Sequence, residues 1–294
     1  MIPWIGLLGL LIGVISPVAS VLYVMLYSGK NLCKENKANL NFLIVWICTS
    51  LFIWLLGIIN YIQLVNLVFG AGLSVFLVFE LLKKDFDFKI ISMVILFYNS
   101  LFMFIRQLVF ADKIFYDYEQ SVDEALKILS IRFEENPEQF QLFMDMIEIT
   151  KDFYLKYSPG IWLGSLILCL MVGLYYFSKK YLKKNILATY QVSIYVIYTF
   201  IVALIFAILT ESRILAVNYL IALLPLFLFQ GLAVVQTKIG HWFIQSKILY
   251  VIAVLSLVLN PYLVIFISVI GLFDNWFDFR NLSQLEESHE NNSN

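Results

Sequence analysis

The chain has 294 residues, 61% of them hydrophobic and only 14% charged, with a net charge of −1. A soluble domain is nearer half apolar and about a quarter charged, so a water-soluble core is excluded as the home of all these side chains and lipid must solvate much of the surface. The near-neutral charge offers no basic face, which argues against a nucleic-acid partner.

Runs of about 20 apolar residues are long enough to cross the hydrocarbon as helices, which satisfy their own backbone groups where water cannot. In chain order they are Ile2–Tyr27, Leu40–Ile59, Tyr61–Leu82, Ile90–Phe110, Pro159–Phe177, Val192–Leu209, Ile214–Val235 and Ile248–Phe273. Alternating apolar and polar strands are absent. The expected fold is therefore an all-α polytopic bundle of about eight spans. Four spans lie in 1–110, a segment without a span covers 111–158, four more spans lie in 159–280, and a polar tail, expected to be disordered, covers 281–294.

Two runs carry an internal proline, Pro17 after Ser16 and Pro261 after Asn260. As single kinked helices they place both termini outside. As pairs of half-length helices they place both termini inside. The N-terminal run has no cationic region before it and is too long for a signal peptide, so it is expected to be retained. Lysines cluster at 30, 34 and 37, at 83, 84 and 89, at 179, 180, 183 and 184, and at 238 and 247. The span count puts these loops on one side, which the positive-inside rule makes the cytoplasm.

The segment 111–158 then lies outside. It carries eleven acidic and five basic side chains, a net of −6. Phe115, Tyr118, Val122, Leu126, Leu129 and Phe133 recur at helical spacing. Asn136-Pro137 supplies a cap and a first-turn proline. Phe140, Met144, Ile147, Tyr154 and Leu155 form a second stripe. A helical hairpin is predicted, with the two stripes packed together or against the bilayer surface.

Polar residues inside a span are costly and are candidate functional groups. They are Asn66, Glu80, Asn99, Arg106, Gln107, Asn218, Gln230 and Asn260. Glu80 lies one turn from Lys83 and Lys84 and reads as an interfacial ion pair. Arg106, Asn99, Asn218 and Gln230 are the candidates for holding a small-molecule solute. Arg106 leads them, because a cation there suits an anionic ligand. Mid-span amides also serve simply to bond helices together.

No catalytic motif is found. GxSxG, HExxH, P-loop and GxGxxG patterns are missing, and neither His241 nor His289 has a second ligand at metal spacing. No cofactor and no metal are expected, and the chain reads as a non-enzyme. Asp274 and Asp278, four apart, are placed on one helix face, with Arg280 pairing one of them and Trp276, Phe277 and Phe279 at headgroup level. Cys33, Cys48 and Cys169 are too scattered for a disulfide framework or zinc site. Gly9 and Gly13, and Ala203 and Ala207, are small-residue pairs one turn apart that suit close helix packing.

The ending Gly271-Leu-Phe-Asp274-Asn-Trp276-Phe-Asp278-Phe-Arg280, the span opening at Ser158-Pro159 and the Gln230-Gly231-Leu-Ala-Val patch resemble the YybS-like family of bacterial multi-pass membrane proteins. That resemblance implies a fold similar to the S-components of energy-coupling-factor vitamin transporters, which capture a small solute near the outer face. It also implies that Gly9 and Gly13, glycines where that family has alanines, dock a membrane partner. The alternative expectation is a scaffold or regulatory subunit of an envelope assembly, with 111–158 as its docking element.

Overall fold

The computed structural model describes residues 2–34, 38–132, 137–183, 186–209, 213–245, 252, 255–257 and 259–281. Among the described residues there is no strand. The helices are α1 (Ile2–Ile15), α2 (Pro17–Lys34), α3 (Ala38–Leu55), α4 (Tyr61–Lys83), α5 (Phe88–Arg132), α6 (Pro137–Phe177), α7 (Ile186–Thr189), α8 (Ile194–Leu209), α9 (Arg213–Gln245) and α10 (Pro261–Phe277). Five of them, α3, α4, α5, α6 and α9, are long and apolar enough to cross a membrane, and α2, α8 and α10 hold shorter apolar stretches. Large side chains such as Phe52, Leu101, Phe104, Leu108 and Ile205 point outward, as in a bundle with an apolar solvent.

The end runs are not single helices. At the N-terminus the Ser16 hydroxyl accepts from the Ala19 N–H, and Pro17 takes the first helical position, so Ser16-Pro17 caps a new helix. Helices α1 and α2 then pack antiparallel: Gly9 lies against Val24, and Gly13 against Ser20. The fold-back alternative holds here, and the expected Gly9/Gly13 close contact is made within the chain. At the other end the Asn260 side chain accepts from the Tyr262 and Leu263 N–H groups and starts α10 with Pro261. Helix α10 runs parallel to α9, with Leu224 beside Ser268, Phe227 beside Gly271 and Gln230 beside Asp274. The end of α10 therefore lies at the same end of the bundle as the end of α9. Most of 248–259 is outside the described residues, as are Lys37, Phe133, Asn136, Lys184, Lys247, Glu211 and the tail after Asn281.

Antiparallel pairings carry the chain back and forth between the ends. Trp46 meets α4 at Leu67, Asn66 meets α5 at Arg106, and Phe102 meets α6 at Trp162. Helices α6 and α9 run parallel, with Gly160 against Asn218 and Gly164 against Ile221. The turns after α4 and α6 and the ends of α9 and α10 share one end of the bundle, so Lys83, Lys84, Lys179, Lys180, Lys183 and Lys238 gather there. Glu80 pairs with Lys83 at 3.6 Å and accepts from Asn39 at 2.8 Å.

Helix α4 contains a π-helical stretch, Asn66–Leu73. The wider turn leaves carbonyls without their usual partners. The Trp46 indole N–H donates to Leu67 O at 2.9 Å, and the Tyr98 hydroxyl donates to Phe69 O at 2.7 Å. Gly72 makes room for the Trp46 ring.

The segment 111–158 is not a separate insert. Helix α5 has 45 residues and passes through Phe110 without a break, and α6 has 41 residues and passes through Pro159. The hairpin is the continuation of these two helices, an arm about 33 Å long beyond Phe110. The expected span opening at Ser158-Pro159 is thus mid-helix.

Candidate functional site

The four solute candidates do not converge. Asn99 accepts from the Ser74 hydroxyl at 2.8 Å and donates to its own helix at Ile95 O. Gln230 accepts from the Val192 N–H at 2.9 Å and donates to Asp274 at 3.0 Å. Asn218 repairs a helix. Pro159 lacks an N–H and crowds the α6 ladder, and the Gly160 N–H, whose regular helical partner is Lys156 O, donates to Asn218 Oδ1 at 2.6 Å. Asn218 Nδ2 donates in turn to Lys156 O at 2.7 Å and to Ile214 O at 2.9 Å. The amide therefore bonds both the donor and the acceptor of that helical position. A Cβ on residue 160 would meet the Asn218 backbone at 2.6–2.7 Å, so glycine is required there.

Arg106 differs from these three. Its Nε–H donates to Asn66 Oδ1 at 2.7 Å, its Nη1 lies 3.8 Å from Met103 Sδ, and its guanidinium sits 5.6 Å from the centre of the Trp162 ring. Asn66 opens the π-helical stretch, and Gly70 within it faces Trp162, where a Cβ would come to 2.9 Å of the ring. Among the described residues, no carboxylate reaches Arg106 within ion-pair distance. Arg106 and Asn218 are served by α6 residues two positions apart, Trp162 and Gly160, which lie roughly 200° apart around a helix. They belong to different faces.

At the other end of the bundle the ending of the chain forms a buried polar knot. Arg280 Nε and Nη2 both donate to Asp274 Oδ2, at 3.0 and 2.7 Å, and Nη2 donates to Tyr190 O at 2.8 Å. Both charged side chains are 1% exposed. Among the described residues Asp274 Oδ1 is buried without a partner. Gly231 and Gly271 allow this approach: a Cβ on Gly271 would run into the Phe227 carbonyl, and one on Gly231 into that of Ile267. Asp278 does not share a helical face with Asp274, contrary to the spacing argument. It is the left-handed cap of α10 (φ 41°), its N–H donating to Asp274 O. Trp276 and Phe277 are exposed, as an interfacial position requires. Among the described residues no three metal-ligating side chains cluster.

Ala203 is buried and Ala207 half-buried. Ala203 borders an open, almost wholly apolar groove of about 410 Å³ with Val202, Phe206, Leu215, Ala216 and Tyr219.

The arm has two apolar faces. Tyr118 stacks on Tyr154 (4.6 Å), and Glu119 pairs with Lys151 (2.8 Å), raising that ammonium above the ordinary lysine range. Val122, Leu126, Leu129, Met144, Ile147 and Leu155 are partly covered, whereas Phe115 and Tyr154 of the same predicted stripes are each 45% exposed. A second stripe on α6, Leu142, Met146, Ile149 and Phe153, also keeps helical spacing, yet its members are 54–73% exposed. Asp145, Glu148 and Asp152 form an exposed row beside it.

Sequence reasoning missed Trp162, Tyr190, Gly160 and this second stripe. Only the stripe had a signal, its i, i+4, i+7, i+11 spacing. Comparison with known protein families, curated proteins and solved structures finds no match. The fold defines an all-helical protein with helices suited to a membrane.

Proposed function

We propose that this chain is a non-enzymatic accessory protein of a bacterial cytoplasmic membrane that recruits a partner protein through the α5–α6 arm. In this reading α3, α4, α5, α6, α8 and α9 cross the bilayer, and the two end runs, counted once each in the eight-span expectation, enter and return from the lysine-rich cytoplasmic face. The arm then stands on the extracytoplasmic side. The exposed stripe Leu142, Met146, Ile149 and Phe153 carries the proposal, because four apolar side chains in register on a water-exposed helix call for a cover. The acidic row beside the stripe and the net charge of −6 select that cover. A second copy of the arm or an anionic lipid surface is repelled, whereas an amphipathic helix with basic residues flanking an apolar stripe is complementary.

The test is site-specific photocrosslinking in native membranes. A crosslinker at position 146 or 149 is expected to trap one protein through a basic amphipathic helix, and a crosslinker at the inward-facing position 144 is expected to trap none. Equal labelling from 144 and 146, or none from 146 and 149, refutes the docking face.

A second reading, small-solute capture of the S-component type, follows from the YybS-like resemblance and is favoured by one observation, the cation of Arg106 without a carboxylate partner among the described residues. The expected signal is a small molecule co-purifying with the wild-type chain and lost in Arg106→Ala.

A further inference from the structure

We infer that Arg106, seated on Trp162 and oriented by Asn66, forms an oxyanion-binding site for a phosphate-bearing group. The argument starts from the cost of the arrangement. A half-buried guanidinium normally acquires a carboxylate or a set of carbonyl acceptors. Here one side-chain oxygen, Asn66 Oδ1, accepts from Nε at 2.7 Å, and the Met103 sulfur at 3.8 Å is a weak acceptor. No carboxylate completes the pair among the described residues.

The fixing of the guanidinium sets the geometry of the ligand. Asn66 occupies the Nε edge, and Trp162 faces the ion, 5.6 Å from the ring centre. The terminal nitrogens retain donors for a ligand, and a planar guanidinium presents paired N–H groups to two oxygens of one phosphate or carboxylate. The site is built rather than incidental. The π-helical turn begins at Asn66, and Gly70 within it leaves the space that the Trp162 ring fills. Arg106 lies one turn before Phe110, whose ring packs at a tilt against Tyr61 beside the turn between α3 and α4. In the proposed orientation that level is the outer headgroup region, where both lipid phosphates and dissolved phosphates are present.

The inference rests on the capture reading only for the water-soluble source and is independent of the docking arm. The experiment is native mass spectrometry of the full chain in a phosphate-free maltoside detergent, with either inorganic phosphate or dioctanoyl phosphatidylglycerol added. Wild type is expected to retain one equivalent of at least one of them, and Arg106→Gln to lower that retention by about tenfold or more. Gly70→Ala, which crowds Trp162 but leaves every charge in place, is expected to lower it as well. It serves as the second variant should Arg106→Gln fail gel filtration or lose its helical circular dichroism. Retention of inorganic phosphate assigns a dissolved solute and supports capture. Retention of the lipid alone assigns a headgroup site, keeping this inference while removing the capture reading. Retention of neither by wild type, or equal retention by wild type and both variants, overturns the inference.

Discussion

Replacing Asn218 by leucine tests whether a side chain completes the backbone of a neighbouring helix. The amide lies between Gly160 N–H and Lys156 O, bonded to them at 2.6 and 2.7 Å. Removing it withdraws a partner from both groups, and the ring of Pro159 hinders the helix from closing the Gly160–Lys156 bond in its place. An orphaned buried group costs about 1–3 kcal/mol, so the pair costs about 2–6 kcal/mol, with the lower half expected at this half-buried level. The loss should be recovered by a second change. Pro159→Ala restores an N–H and removes the ring from the ladder, letting Gly160 bond to Lys156 in the regular way. The assay is reversible unfolding in mixed micelles of increasing dodecyl sulfate content, for wild type, both single variants and the double variant. Strong coupling is expected, the double variant unfolding much closer to wild type than Asn218→Leu does. Additive losses, or a cost below about 1 kcal/mol for Asn218→Leu, would refute the bridging role.

Three further outcomes follow. Arg280→Met strands the Asp274 carboxylate and is expected to cost about 3–5 kcal/mol in the same assay, whereas Asp274→Leu combined with Arg280→Met removes both charges, though it withdraws the partners of Gln230 Nε2 and Tyr190 O, and should unfold closer to wild type than the single variant; a single-variant cost near zero would show that the pair is not charged and buried. Trp46→Phe keeps an aromatic side chain but loses the indole N–H that serves the Leu67 carbonyl and is expected to cost at least about 1–3 kcal/mol, with helical content unchanged by circular dichroism. In a variant lacking Cys33, Cys48 and Cys169, single cysteines at 2, 85 and 281 should be labelled by an impermeant thiol reagent from one side of the membrane and a cysteine at 57 from the other; labelling of 2 from the side of 57 would contradict the antiparallel α1–α2 pair.

Composition and run length determined the class. No soluble packing absorbs so much apolar surface, and hydrogen bonding confines such a chain to helices. The lysine loops and the stripes of the arm were legible because charge asymmetry and 3.6-residue periodicity are local properties. The dipeptides Ser16-Pro17, Asn260-Pro261 and Ser158-Pro159 were not separable by local reasoning. The first two cap new helices, and the third lies within α6, where Asn218, 58 residues further along the chain, accepts from the Gly160 N–H next to the proline. The same limit applies to the polar candidates. A sequence lists Asn99, Arg106, Asn218 and Gln230 alike as buried polar residues, and only tertiary packing supplies Ser74, Gly160, Val192 and Asp274 to three of them and leaves Arg106 with Asn66, Met103 and an aromatic ring. Hydrogen-bond satisfaction is a property of neighbours in space, so the sequence fixes which groups need partners and the fold decides which groups receive them.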